Sequence, residues 1–141
     1  MLRSFVRASV FAVAVCSLLA GCKGSNVVPV SGTLTYKGKP VTNAIVNFEP
    51  ETGRPSSAAT DANGQFTLLY DPQIKGAQIG KHKVFVIQNH AANANLPGAI
   101  PGETPKLSPD SRDLFSKYSR EKSTVEVVID KETNGIKLEW D

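Results

Sequence analysis

The chain has 141 residues, with 16 Lys+Arg against 13 Asp+Glu and two cysteines. A formal charge of +3 gives no electrostatic reason to expect nucleic acid as a partner. The cysteines are Cys16 and Cys22, so the rest of the chain lacks the thiols for a disulfide framework, a thiolate nucleophile or a cysteine zinc site.

The amino-terminal segment reads as an export signal. Arg3 and Arg7 give it a positive start, and the run from Ala8 to Ala20 is apolar apart from Ser9 and Ser17. That run has the length of a signal-peptide core and is too short for a membrane-spanning helix. It closes on Leu19-Ala20-Gly21-Cys22, which resembles the bacterial lipobox. The resemblance implies that the Cys22 thiol carries diacylglycerol, that the chain is cut before it, and that the new amino terminus is acylated. Residues 1–21 are then a signal peptide and Cys22 begins the mature chain. The covalent lipid on Cys22 is the one prosthetic group expected. Two or three acyl chains meet the requirement of about two hydrophobic signals for stable attachment, so the membrane is the first expected partner. Lys23 is not the aspartate associated with inner-membrane retention, which favours the outer membrane. Loss of Arg3 and Arg7 leaves 14 Lys+Arg against 13 Asp+Glu, a nearly neutral domain.

Residues 22–27 form a short tether, and residues 28–141 read as one domain. Val28, Val30, Gly32, Leu34 and Tyr36 alternate with Pro29, Ser31, Thr33 and Thr35. Period two with β-branched residues predicts a strand. Lys37-Gly38-Lys39-Pro40 is a turn. A strand over Val41–Glu49 places Ala44, Val46 and Phe48 on one face. Ser57–Thr60 is a short third strand. Asp61-Ala62-Asn63-Gly64 is a tight turn, and Gln65–Tyr70 follows with Phe66, Leu68 and Tyr70 aligned. Lys81–Asn89 has Val84 and Val86 on one face, Phe85 and Ile87 on the other.

The alternation then stops. Residues 90–116 contain Pro97, Pro101, Pro105 and Pro109 and read as a long, poorly ordered loop of functional interest. Lys117-Tyr118 is expected as a brief strand or an ordered crossing. Thr124–Ile129 and Ile136–Trp140 complete the set, the second with Ile136, Leu138 and Trp140 on one face. Seven short strands without a helix outside the signal predict an all-β, antiparallel β-sandwich, Ig-like or prealbumin-like. The expected core includes Val46, Phe48, Phe66, Val84, Val86, Val127 and Leu138.

The opening Val30-Ser31-Gly32-Thr33-Leu34-Thr35-Tyr36-Lys37-Gly38-Lys39-Pro40-Val41 resembles that of the carboxypeptidase regulatory-like, transthyretin-like domains. Ala44-Ile45-Val46-Asn47-Phe48 is similar to their Ala-x-Val-x-Phe element, and Thr60-Asp61-Ala62-Asn63-Gly64-Gln65-Phe66 to their Thr-Asp-x-x-Gly-x-Phe hallmark. Gly80-Lys81-His82-Lys83-Val84-Phe85-Val86 resembles a later Gly-x-Tyr-x-Val strand, with His82 where an aromatic is usual. The resemblance implies a seven-stranded prealbumin-like sandwich and no catalysis. It names no ligand.

Chemistry-bearing patterns are sparse. Asp61-Ala62-Asn63-Gly64 is too short for the six to eight oxygens of a calcium site, and a turn explains it. His82 and His90 have no third ligand nearby, so no metal is expected. The carboxyl-terminal Leu138-Glu139-Trp140-Asp141 lacks the Tyr-Arg-Gly-Ser ending of hydroxyisourate hydrolases, and no nucleophile motif surrounds a serine. A lysine–asparagine cross-link between Lys37 or Lys39 and Asn134 is disfavoured because both ends lie in turns. Phe85 and Ile87 leave two readings open. Either the 90–116 segment covers them, through Leu96, Ile100 or Leu107, or they form an exposed strip for a partner. With Tyr118 they are the candidate binding surface. The expected function is a non-enzymatic envelope lipoprotein, structural or protein-binding, with an envelope protein as second partner. The alternatives are a carbohydrate or small-ligand binding domain using loop aromatics such as Tyr70 and Tyr118, and an accessory subunit of a secreted complex.

Overall fold

The computed structural model describes residues 26–91 and 107–141. Among the described residues the chain forms β1 (Val27–Val28), β2 (Val30–Tyr36), β3 (Lys39–Pro40), β4 (Ala44–Pro50) and β5 (Ser56–Ala59). It continues with β6 (Gln65–Thr67), β7 (Ala77–Gln78) and β8 (Gly80–Gln88), a helix α1 (Pro109–Lys117), then β9 (Val125–Ile129) and β10 (Thr133–Trp140). One four-stranded sheet has β2 at its centre, flanked by β10 on one side and by β3 and β6 on the other. The second runs β5-β4-β8-β9, and β1 pairs with β7 in a small ribbon. The chain is thus mostly β with several sheets, consistent with an all-β sandwich.

The alternation predicted for the main strands is present. In β2, Val30, Gly32, Leu34 and Tyr36 are buried and their neighbours half-buried. In β4, Ala44, Val46 and Phe48 are buried. These side chains meet Phe66, Leu68, Val84, Val86, Ile129 and Leu138 in one core. Phe48 packs against Phe66 with ring centroids 6.2 Å apart and against His82 at 6.0 Å. Of the expected core, Val127 alone is only half-buried, because β9 is an edge strand with one neighbour.

Three expectations need correction. First, pairing is not wholly antiparallel: β10 runs parallel to β2, from Thr133 beside Val30 to Trp140 beside Tyr36. The chain crosses between the sheets after β9, within Asp130–Glu132, and so starts β10 at the same end as β2. Second, part of the supposed loop is helical. Ser108 caps α1, its Oγ accepting from the Ser111 amide at 3.2 Å. Pro109 occupies the first turn, Asp110 complements the amino-terminal dipole and Lys117 the carboxyl-terminal one. Third, of the two forms expected for Lys117-Tyr118 the strand is absent: Lys117 ends that helix and Tyr118 is its C-cap, with the Tyr118 amide donating to Leu114 O at 2.9 Å. Neither is in a strand. The expected coverers Leu96 and Ile100, with the rest of 92–106, lie outside the described residues.

The strand directions define two ends of the molecule. At one end lie β1, the start of β2, the β7–β8 junction, the end of β9 and the start of β10. At the other lie Tyr36, Trp140, Gln88 and α1, where Val86 N donates to Tyr118 O at 3.0 Å. Asn26, the first described residue, lies at the first end.

Candidate binding groove

The outer face of the β5-β4-β8-β9 sheet changes character along its length. Cross-strand register puts Phe85 opposite Asn47 and Ile87 opposite Ile45, so all four point away from the core. Nearer the start of β8, Lys83 stands opposite Glu49 on one side and Glu126 on the other, and Lys81 pairs with Glu126 at 2.8 Å. The face is therefore charged toward the start of β8 and apolar toward α1.

Beyond β9, the chain from Tyr118 to Ser123 takes over as neighbour of β8. Ser123 is buried and its Oγ reaches Val84 O across this junction at 2.5 Å. This path brings Ser119, Arg120 and Glu121, and α1 brings Phe115, into the groove beside Phe85 and Ile87. Together with Asn47, Glu49 and Gln88 they line a groove of about 610 Å³. Phe85 is 8% exposed and Ile87 45%. The two open readings thus divide between the two residues. Phe85 is buried, with Phe115 of α1 lining the same groove, while Ile87 remains open.

One wall is held by charge. Arg120 clasps the Glu49 carboxylate with both Nε, at 3.2 Å, and Nη2. The Arg120 guanidinium holds the Glu49 carboxyl below its ordinary value, and Glu49 raises Arg120 in turn. Both therefore stay charged through the neutral range.

Tyr118 belongs elsewhere. Its ring stacks on Trp140 and meets Tyr36 edge-on at 6.4 Å, away from the groove lining. Only its backbone carbonyl reaches β8. Tyr36 and Trp140 are 5% and 6% exposed, so this aromatic cluster is a packing element. Helix α1 is fastened over it. The Tyr36 hydroxyl donates to the Asp113 carboxylate, and Lys37 Nζ lies 3.3 Å from Asp113 and 3.6 Å from Asp110.

No protein-family model, curated protein or solved structure matches this chain. The site's meaning therefore rests on its own residues. His82 is fully buried. Its Nε2 lies 2.7 Å from Gln78 O, and since a carbonyl only accepts, Nε2 is the donor there. His90 is exposed. Among the described residues no three His, Cys, Asp or Glu side chains gather as a metal site. Asp61 Oδ1 accepts from the Asn63 and Gln65 amides at 2.8 and 2.9 Å, the backbone-bonded turn expected of it. Asn134 accepts from Ser31 Oγ at 3.1 Å, at the opposite end of β2 from Lys37 and Lys39. The lysine–asparagine cross-link is therefore out of reach.

Phe115 and Arg120 are the groove residues the sequence reading missed. They lie some thirty residues from Phe85, and no local pattern links them. The one available signal was Ser108-Pro109-Asp110, a helix start that would have placed Phe115 on a packed element.

Proposed function

We propose that this chain is a non-enzymatic envelope lipoprotein, anchored by acyl groups on Cys22, whose β-sandwich presents a protein-binding groove away from the membrane. Cleavage before Cys22 removes residues 1–21, and Lys23 favours the outer membrane. The sandwich is of the carboxypeptidase regulatory-like, prealbumin-like type. The Thr60–Phe66 hallmark supports that assignment.

The observation that carries the reading is the lipobox followed by only Lys23, Gly24, Ser25 and Asn26 before β1. A tether this short leaves the domain at the bilayer surface. Ile87 is seven residues along β8 from Gly80, a rise of roughly 23 Å at 3.3 Å per residue. A partner at the groove would approach from the aqueous side. Apolar Phe85, Ile87 and Phe115 beside the Arg120–Glu49 pair suit a protein surface, which combines apolar anchors with a polar rim. A glycan platform needs open aromatic faces, whereas Trp140 and Tyr36 are buried and Tyr118 is stacked.

The test is photo-cross-linking in intact cells from a probe replacing Glu121, an exposed residue of the groove wall. A discrete protein adduct is expected, lost on Ile87→Asp and absent from a probe at exposed Ala62. The same adducts from both probe positions, or adducts indifferent to Ile87→Asp, would contradict the assignment of the groove.

A further inference from the structure

We infer that the hairpin Leu69–Ile79 is a second membrane contact, seating the tethered end of the domain in the bilayer interface. The inference rests on the acyl anchor proposed above.

Five large hydrophobic side chains stand exposed among the described residues: Leu69, Ile74, Ile79, Ile87 and Val128. Three of them, Leu69, Ile74 and Ile79, lie in this one hairpin. It is fixed to the amino-terminal strand. Val27 and Val28 pair with Gln78 and Ala77, and the Ile79 amide donates to Asn26 O at 2.7 Å. Gly76 allows the approach: at φ +119, a Cβ there would sit 1.9 Å from Val28 O. Asn26 is thus locked beside Ile79, and it follows Cys22 by four residues. Four Cα steps span at most about 15 Å. Wherever the acyl chains enter the bilayer, Asn26 is held within that reach of Cys22, and Ile79 one strand spacing of about 5 Å beyond it.

The hairpin tip is shaped to project apolar groups. Asp71 Oδ1 accepts from the amides of Gln73 and Ile74, both at 2.8 Å. With Pro72 this closes a tight turn that leaves Ile74 41% exposed. Next to it Tyr70 is half-buried, with the Arg54 guanidinium 5.9 Å from its ring centroid. Branched aliphatics beside a tyrosine and an arginine match the composition favoured where bilayer meets water. Charges at this end are of both signs, so the contact is apolar and does not need anionic lipid.

The experiment uses full-length protein purified lipidated in detergent and placed in phosphatidylcholine vesicles. Single cysteines at Ile74 and Ile79, with a control at Ala62 on the far end, carry an environment-sensitive fluorophore. Cys22, once lipidated, offers no thiol to label. Emission at 74 and 79 should shift to shorter wavelength on vesicle binding and be quenched by doxyl-labelled lipid, with no change at 62. Adding Ile79→Gln to the labelled Ile74→Cys protein should weaken that shift. Labels at 74 and 79 as water-exposed as at 62, in protein whose mass shows acylated Cys22 and which floats with vesicles, overturn this inference alone. Absence of the acyl mass overturns the anchor and the inference together.

Discussion

Tyr118 lies flat on Trp140, with ring centroids 4.1 Å apart and planes 15° from parallel. The contact joins the C-cap of α1 to the last strand, and so fastens the helix to the β10–β2 pair. Trp140→Ala should cost roughly 3–5 kcal/mol, as for a buried large aromatic. Tyr118→Leu should cost less, near the ~0.5–1.5 kcal/mol of an aromatic pair. Thermal melts of both variants measure this order. Equal losses would mean that Trp140 contributes through the stack alone and not through its burial.

Phe66→Ala should also cost roughly 3–5 kcal/mol, because the ring is 3% exposed and packs on Phe48. Gly32→Ala tests the same region from the backbone side. An added Cβ would stand 2.4 Å from Ile136 O and 2.7 Å from Phe66 Cζ. The parallel β10–β2 contact should open, and denaturant melts should show a loss despite the gain in strand propensity. A neutral Gly32→Ala would contradict that register.

Ile87→Asp and Phe85→Asp should separate sharply. Ile87 faces solvent at the groove, and the change should stay within about 0.5 kcal/mol, as for an ordinary surface substitution. Phe85 is covered, and an unpaired carboxylate there must be desolvated or the cover must open. Its variant should melt far lower. Similar melting temperatures for the two would show that Phe85 is not covered.

Stability should fall at both pH extremes. Asp113 lies below its ordinary value because it accepts from Tyr36 and then from Lys37, and Glu49 lies below its own because of Arg120. Lowered carboxyls contribute stability above their unfolded values, and lose it as pH falls through the folded ones. Tyr36 is raised by donating to Asp113, and Lys37 is raised by Tyr36 and then Asp113. Those contributions are complete below the unfolded values and vanish as pH rises through the folded ones. A plateau from about pH 5 to 9 is expected. Asp113→Asn should flatten the acid limb and part of the alkaline limb, modestly and less so in high salt, since these groups are largely exposed. An unchanged profile would show that the Tyr36–Asp113–Lys37 cluster is not formed in solution.

Sequence pattern reached the strands and not their pairing. Alternation names a face, so Leu34, Val46, Phe48 and Leu138 were legible as core. It carries no information on direction, which is why the parallel β10–β2 pair was hidden. That pairing depends on where the chain crosses after Ile129. Helix α1 was hidden for a different reason. It is nine residues long and buries only Leu114 among them, too little for a helical period. Its proline and serines read as loop although Ser108-Pro109 is a capping signal. At the groove, Phe85 and Ile87 were visible as an apolar second face on β8. Phe115, which lines the same groove from α1, was not, because it arrives through tertiary packing. Tyr118 was singled out as a surface aromatic, and the same packing turns its ring onto Trp140.

Intact-mass analysis of the protein extracted from membranes tests the central claim most directly. The account predicts a chain beginning at Cys22, lacking residues 1–21 and heavier by a diacylglyceryl group and an amino-terminal acyl chain, with Cys22→Ser giving neither cleavage nor added mass. A chain that retains residues 1–21, or one that begins near residue 22 with a free Cys22 thiol in the soluble fraction, would contradict it.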